Sequence, residues 1–161
     1  MNDESFYEEQ RFAQRWIQIV LVVLWIGLAA AAIVGMATKK AGPIPAILSL
    51  VPITVLILYF KSLKLQVRID TDSVNYRFLP IQLKYRTIKR SDIEKMDVIT
   101  FDPMEDYGGW GIRFSNKGKA YTAKGNHGLH IQLLTGKNTL IGTSKPEELK
   151  RFLKNYYTTA F

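Results

Sequence analysis

"WIQIVLVVLWIGLAAAAIVGMAT", residues 16–38, decides the fold: these 23 consecutive residues carry no charge. As a helix the run is about 34 Å long at about 1.5 Å per residue, enough to cross a hydrocarbon core of about 30 Å. A second uncharged run, "AGPIPAILSLVPITVLILYF" (41–60), follows directly after Lys39 and Lys40. Its firmly apolar part, 44–60, comes to about 26 Å by the same arithmetic, so it spans with local thinning or help from its ends. A cleaved signal peptide does not fit. The first run exceeds a typical h-region, the tail before it carries Asp3, Glu4, Glu8 and Glu9, and another span follows at once. Two buried helices of a water-soluble globule would normally show a polar stripe, which neither run has. The reading is a transmembrane helical hairpin over 16–60, with spans 16–38 and 44–60, after an N-terminal cytoplasmic segment 1–15.

The connector "KKAGP" (39–43) is too short for anything but antiparallel helices, so both termini share one side. Arg11 and Arg15 before the hairpin and Lys61, Lys64 and Arg68 after it outnumber Lys39 and Lys40 in the turn. That bias places the termini in the cytoplasm, with the two turn lysines pulling the other way. Gly27, Ala31 and Gly35 recur every four residues and form a small-residue face, on which either the second helix of the hairpin or another copy can seat. Pro52 is expected to kink or loosen the second span. Gln18, Ser49 and Thr54 are the main polar side chains at depth, and no ionisable residue lies there, which argues against a proton relay or ion pathway. Trp16, Tyr59 and Phe60 sit at interface heights. Upstream, Ser5 and Glu8 of "SFYEEQR" match a capping box, predicting a short helix that runs into the first span with Phe12 and Trp16 on one side.

From Lys61 the composition changes. Residues 61–161 hold 18 Lys or Arg against 10 Asp or Glu, the whole of the chain's net charge of +8. Apolar residues now alternate with period two, the mark of half-buried strands. "LKLQVRI" puts Leu63, Leu65, Val67 and Ile69 on one face; after the turn "DTDS", "VNYRF" does the same with Val74, Tyr76 and Phe78. "LKYRTI", "KMDVITF", "WGIRF", "LHIQLL" and "NTLIGT" complete seven strands, while "AYTAK" (120–124) is either an eighth strand or loop. In "SKPEELKRFLKNYY", Ser144 and Glu147 form a second capping box, Pro146 sits in the first turn, and Leu149, Phe152, Leu153 and Tyr156 make an apolar stripe. The predicted fold class is therefore an α+β membrane protein: a hairpin, then a seven-stranded antiparallel barrel or sandwich over 61–161, capped by a C-terminal helix.

That order of elements resembles a pleckstrin-homology-like (PH-like) domain. Through "YGGWGIRF", "AYTAKGNHGLHIQL" and "LIGTSKPEEL", the chain is similar to small bacterial membrane proteins in which a helical hairpin precedes a bacterial PH-like domain; the likeness is densest over 106–150. The resemblance implies the fold, membrane tethering and a bacterial cytoplasmic (inner) membrane, and it brings no established activity. Lipid-binding eukaryotic PH domains often cluster basic residues around the first hairpin. Here that turn holds Asp70 and Asp72, which speaks against an inositol-phosphate pocket of that kind.

Motifs for catalysis are weak. In "EDYGGWGIRF" (105–114), a strand starting near Trp110 puts Trp110, Ile112 and Phe114 on one face, with Trp110 as a core anchor. Gly108 and Gly109 would supply the dihedrals of the turn, and Gly111 a bare patch for a close approach. A phosphate cradle would need these glycines to lead into a helix, and neither GxGxxG nor GxxxxGK[ST] is present. His127 and His130, the only histidines, point to opposite faces of a strand; with no cysteine and no HExxH, no zinc site is expected. Glu105 and Asp106 read as solubilising carboxylates before a turn, and no GxSxG elbow occurs. No catalytic residue, cofactor or metal is expected.

The function expected is a non-enzymatic, membrane-anchored interaction module that binds a protein or peptide, or its own copy. An edge strand and a groove beside the C-terminal helix would accept an extended segment. The alternative is a reader of anionic lipid, with Arg11, Arg15, Lys61 and Lys64 best placed to meet headgroups. The basic charge also suits nucleic acid, but no signature of a nucleic-acid-binding fold is present.

Overall fold

The structure, a computed structural model, describes residues 5–12, 14–40 and 42–157, apart from the side chain of Tyr156. Ala41 of the expected connector and the Tyr156 side chain of the expected stripe lie outside the described residues. The chain divides into two units: Ala13–Ser62, and Met1–Phe12 together with Leu63–Phe161.

The first unit is the hairpin. Helices α1 (Arg15–Ala37) and α2 (Pro43–Ser62) are each long and apolar enough to cross a membrane. Their outward faces are apolar all round, with Ile19, Val23, Ile33, Ile44 and Ile47 exposed, as lipid-facing helices require. Trp25 Nε1 donates to Thr54 Oγ1 at 3.0 Å, joining the helices, and the same hydroxyl donates to the Leu50 carbonyl at 2.8 Å. Helix α2 continues through Pro52, so the missing amide does not end it.

The second unit contains nine strands among the described residues, in two sheets. Sheet A runs β1 (Ser5–Arg11), β2 (Lys64–Asp70), β3 (Ser73–Leu79), β4 (Arg86–Lys89), all antiparallel. Sheet B contains β5 (Ile93–Thr100), β6 (Gly111–Ser115), β7 (Gly118–Thr122), β8 (His127–Leu133) and β9 (Asn138–Gly142) in the order β5-β8-β9-β7-β6. Strands β7 and β9 are parallel, so sheet B is mixed. A 3₁₀ turn (Arg90–Asp92) links the sheets, a short helix α3 (Pro103–Tyr107) precedes β6, and helix α4 (Pro146–Tyr157) ends the described chain. The core gathers the inward faces of both sheets and one face of α4: Leu65, Ile69, Val74, Phe78, Tyr121, Ile131, Leu140 and Leu149 are all buried. Between the sheets, the rings of Tyr76 and Tyr121 lie 4.7 Å apart. Burial first, and then the neighbouring Tyr121 phenol, hold the Tyr76 phenol far above its ordinary pKa.

The expected inward residues of β2 and β3 are buried, and Leu149 and Phe152 of α4 face the core. Four expectations need correction. The fold is not a seven-stranded barrel: it is two sheets of four and five strands that do not close. Of the two readings open for "AYTAK", which is not among these four, the strand holds in part: residues 120–122 belong to β7, between β6 and β9. Residues 5–11 form a strand, not a helix, because β2 offers them a full ladder from Ser5↔Asp70 to Arg11↔Lys64. A tertiary partner outweighs a local capping pattern worth about 1 kcal/mol. Glu8 instead turns inward and accepts from Thr143 Oγ1 at 2.6 Å and the Ser144 amide at 2.7 Å, while Gln10 Nε2 donates to the Gly142 carbonyl at 2.6 Å. That also overturns the second capping box: α4 begins at Pro146, the Ser144 amide is held by Glu8, and Glu147 pairs with Lys150.

The fourth correction concerns Trp110. It is half-buried, and its Nε1 donates to the Gly125 carbonyl at 2.8 Å, tying the start of β6 to the turn before β8. Gly111 has φ of +110° with open space around its Cα, so the strand alternation assumed from Trp110 onward breaks there, and Phe114 ends 69% exposed. Gly108, at φ +68°, is the left-handed cap of α3, whose start is capped by the Asp102 side chain.

Candidate functional site

Strand β5 is an edge of sheet B, paired with β8 alone, and α4 packs against it. Alternate backbone groups of an edge strand lack a ladder partner and are open to another chain. A groove of about 300 Å³ runs between β5 and α4. Its floor is apolar, made by Met96 and Val98 from the strand and Leu153 and Tyr157 from the helix. Positive charge dominates the rim, where Arg90, Lys150 and Lys154 face one acid, Asp97. Asp97 pairs with Lys95 and Lys150 with Glu147, both at the exposed surface, where such pairs are worth about 0–1 kcal/mol and exchange readily.

Local sequence explains the position of each group. The stripe that buries Leu149 and Phe152 places Leu153 beside them, and brings Tyr157 one helical turn later to the end of β2. There the Tyr157 hydroxyl donates to the Asp70 carbonyl, and the Arg90 guanidinium lies 5.1 Å from the ring centre. Burial pushes the Tyr157 phenol up to about 12, with Arg90 pulling the other way, so it remains a neutral donor. Arg90 is fixed in turn, its amide donating to the Asp72 carbonyl at 2.8 Å. The groove therefore ends at Tyr157 and Arg90, both tied to other elements, and draws its strand side from β5, an edge strand.

The cations expected to meet lipid fall in different parts of the chain. Arg11 and Lys64 stand opposite each other in the β1–β2 register, and Lys64 Nζ lies 3.3 Å from Glu9 Oε1. Arg15 opens α1 and Lys61 lies in the last turn of α2, both exposed. Gly27 and Ala31 are exposed and Gly35 half-buried, and nothing lies within 4 Å of a side chain built at Gly27. Trp25 and Thr54 join the two helices, and Leu21 and Ala46 are the buried apolar residues of α1 and α2. His127 and His130 share β8 at an odd spacing. Asp106 accepts from Lys117 and from the Asp102 amide, an arrangement that holds its carboxyl below the usual range and fixes α3 against the β6–β7 turn. Among the described residues, no group of three or more His, Asp or Glu could hold a metal ion.

Sequence reasoning anticipated a groove beside the last helix but not its rim. Arg90 lies in a 3₁₀ turn that carries no periodic signal, and Met96 and Val98 looked like any alternating pair. No protein-family model matches the chain, and no curated protein matches it.

Proposed function

We propose that this chain is a non-enzymatic scaffold of a bacterial inner membrane, anchored by its hairpin, whose PH-like domain captures an extended acidic segment of a partner protein on the cytoplasmic face. The observation that carries the reading is the unpaired β5 edge beside a groove with an apolar floor and a cationic rim. Strand addition would supply main-chain hydrogen bonds, Met96, Val98 and Leu153 would take apolar side chains, and Arg90 and Lys150 would select against basic segments. Two apolar helices support membrane residence. The pairing of β1 with β2 supports a common compartment for both flanks of the hairpin, and the flanking charges favour the cytoplasm. The sequence resemblance to bacterial hairpin-plus-PH-like proteins agrees with this assignment.

The test is site-specific photocrosslinking of the full-length chain in its own membranes. A crosslinker at Val98 is expected to trap one defined partner, or a second copy, while one at Arg113 on the opposite edge strand β6 traps neither. Equal trapping at both positions, or none at Val98, would refute the groove as the binding surface.

A further inference from the structure

A second and larger cavity, about 510 Å³, opens where the two sheets fail to close. It lies away from the β5–α4 groove and shares none of its lining residues. Three cations reach it from three separate elements: Arg86 from β4, Lys119 from β7 and Lys137 from the β8–β9 turn. No Asp or Glu lines it, and among the described residues none of the three cations pairs with a carboxylate. Like charges gathered around one concavity repel one another, and the repulsion is relieved by a bound anion.

Two of the three cations have partners in the structure. Arg86 Nη1 donates to the hydroxyl of the buried Tyr121 at 3.2 Å, which directs the guanidinium from within. Lys119 Nζ sits 5.5 Å from the centre of the exposed Phe114 ring at the cavity mouth. At the rim, Gly118 (φ +115°) lets the β6–β7 turn close on the β8–β9 turn, since a side chain there would strike the Asn138 carbonyl at 2.4 Å. Behind the charges the wall is apolar and aromatic, with Ile88, Leu133 and the ring of Tyr76.

We infer that this cavity binds a phosphomonoester, its dianionic group held by Arg86, Lys119 and Lys137 and its organic part resting on Tyr76, Ile88 and Leu133. Three cations match a dianion better than a single carboxylate, and a guanidinium suits phosphate oxygens through paired donors. The volume lies within the range of small-molecule sites. The phosphate could belong to a soluble metabolite or to a lipid headgroup, and the experiment separates these sources.

Full-length protein in zwitterionic nanodiscs is titrated calorimetrically with glycerol 3-phosphate and, separately, with short-chain phosphatidic acid below its micelle concentration. Saturable binding of glycerol 3-phosphate supports a soluble ligand; binding of the phosphatidic acid alone supports a lipid. In either case the exposed-site variant Lys119→Glu and the double variant Arg86→Gln/Lys137→Gln are expected to weaken binding by roughly tenfold or more. Lys124→Gln, a cation outside the cavity, should leave it unchanged. Hydrogen exchange of β7 and β9 establishes that each variant is folded. No saturable binding of either probe at millimolar concentration, or equal affinity in the folded cavity variants, overturns the assignment.

Discussion

Replacing Glu8 with alanine tests the strand that precedes the hairpin. The Glu8 side chain is buried and accepts from two donors, the Thr143 hydroxyl at 2.6 Å and the Ser144 amide at 2.7 Å. Thr143 is buried as well, so truncation leaves donors without a partner, each costing about 1–3 kcal/mol. Some relief comes from removing a carboxylate from a dry site and from water entering the space, so the expected loss is about 3 kcal/mol. Glu9, one residue on, points the other way and accepts from Lys64 and from the buried Gln66; with a single buried donor released instead of two, Glu9→Ala is expected to lose about 1 kcal/mol. The assay is hydrogen exchange by mass spectrometry on the full chain in detergent micelles, reading the amides of β9. A loss of about 3 kcal/mol speeds exchange through the opened state roughly a hundredfold. Similar effects of Glu8→Ala and Glu9→Ala would refute the inward strand and return residues 5–11 to the local capping pattern.

Three further outcomes are expected. Gly118→Ala combines a left-handed φ of +115° with a contact of 2.4 Å to the Asn138 carbonyl, and should cost about 3 kcal/mol or more, whereas Gly125→Ala, at φ +72° in open space, should cost about 1–2 kcal/mol; calorimetric melting of both variants makes the comparison. In an NMR pH titration, Asp106 should titrate below the usual Asp range and move up in Lys117→Gln. Because the folded-state pKa is the lower one, the contribution of this pair to stability is complete above the unfolded pKa of about 4 and disappears as pH falls through the folded value. The chain has no cysteine, so Lys39→Cys gives a unique label in the hairpin turn; a membrane-impermeant maleimide should reach it from outside intact cells, and labelling only after permeabilisation would reverse the assigned orientation.

What the sequence made legible was governed by contacts close along the chain. The uncharged runs, the alternation in β2 and β3 and the stripe on α4 report burial directly, since each repeats with the period of its own element. Strand β1 escaped because its inward residues are Phe6, Glu8 and Gln10, so polarity does not alternate even though burial does. The partners that make those polar groups acceptable lie more than a hundred residues away at Gly142, Thr143 and Ser144. Strand β7 stayed open between strand and loop for a related reason: at 118–122 it is short, and parallel pairing with β9 has no local turn to announce it. Trp110 misled because strand periodicity presumes ordinary dihedrals, which Gly111 does not adopt. The groove beside α4 was legible but the cations of neither cavity were, since each cavity draws them from segments that only the folded chain brings together.

The strand β1 and its neighbour β2 are separated in the chain by all of Ala13–Ser62. On the ribosome the first of these neighbours is finished well before the second. At about 5–20 residues per second, it waits roughly 3–10 s while the two long apolar helices are synthesised. An oily strand left alone for that long beside an inserting hairpin would risk being drawn into lipid or onto another nascent chain. Glu8 and Gln10 on its inner side make this strand easier to hydrate than an apolar one until β2 emerges, so the polar clasp of the finished domain is expected to lower that risk during synthesis as well.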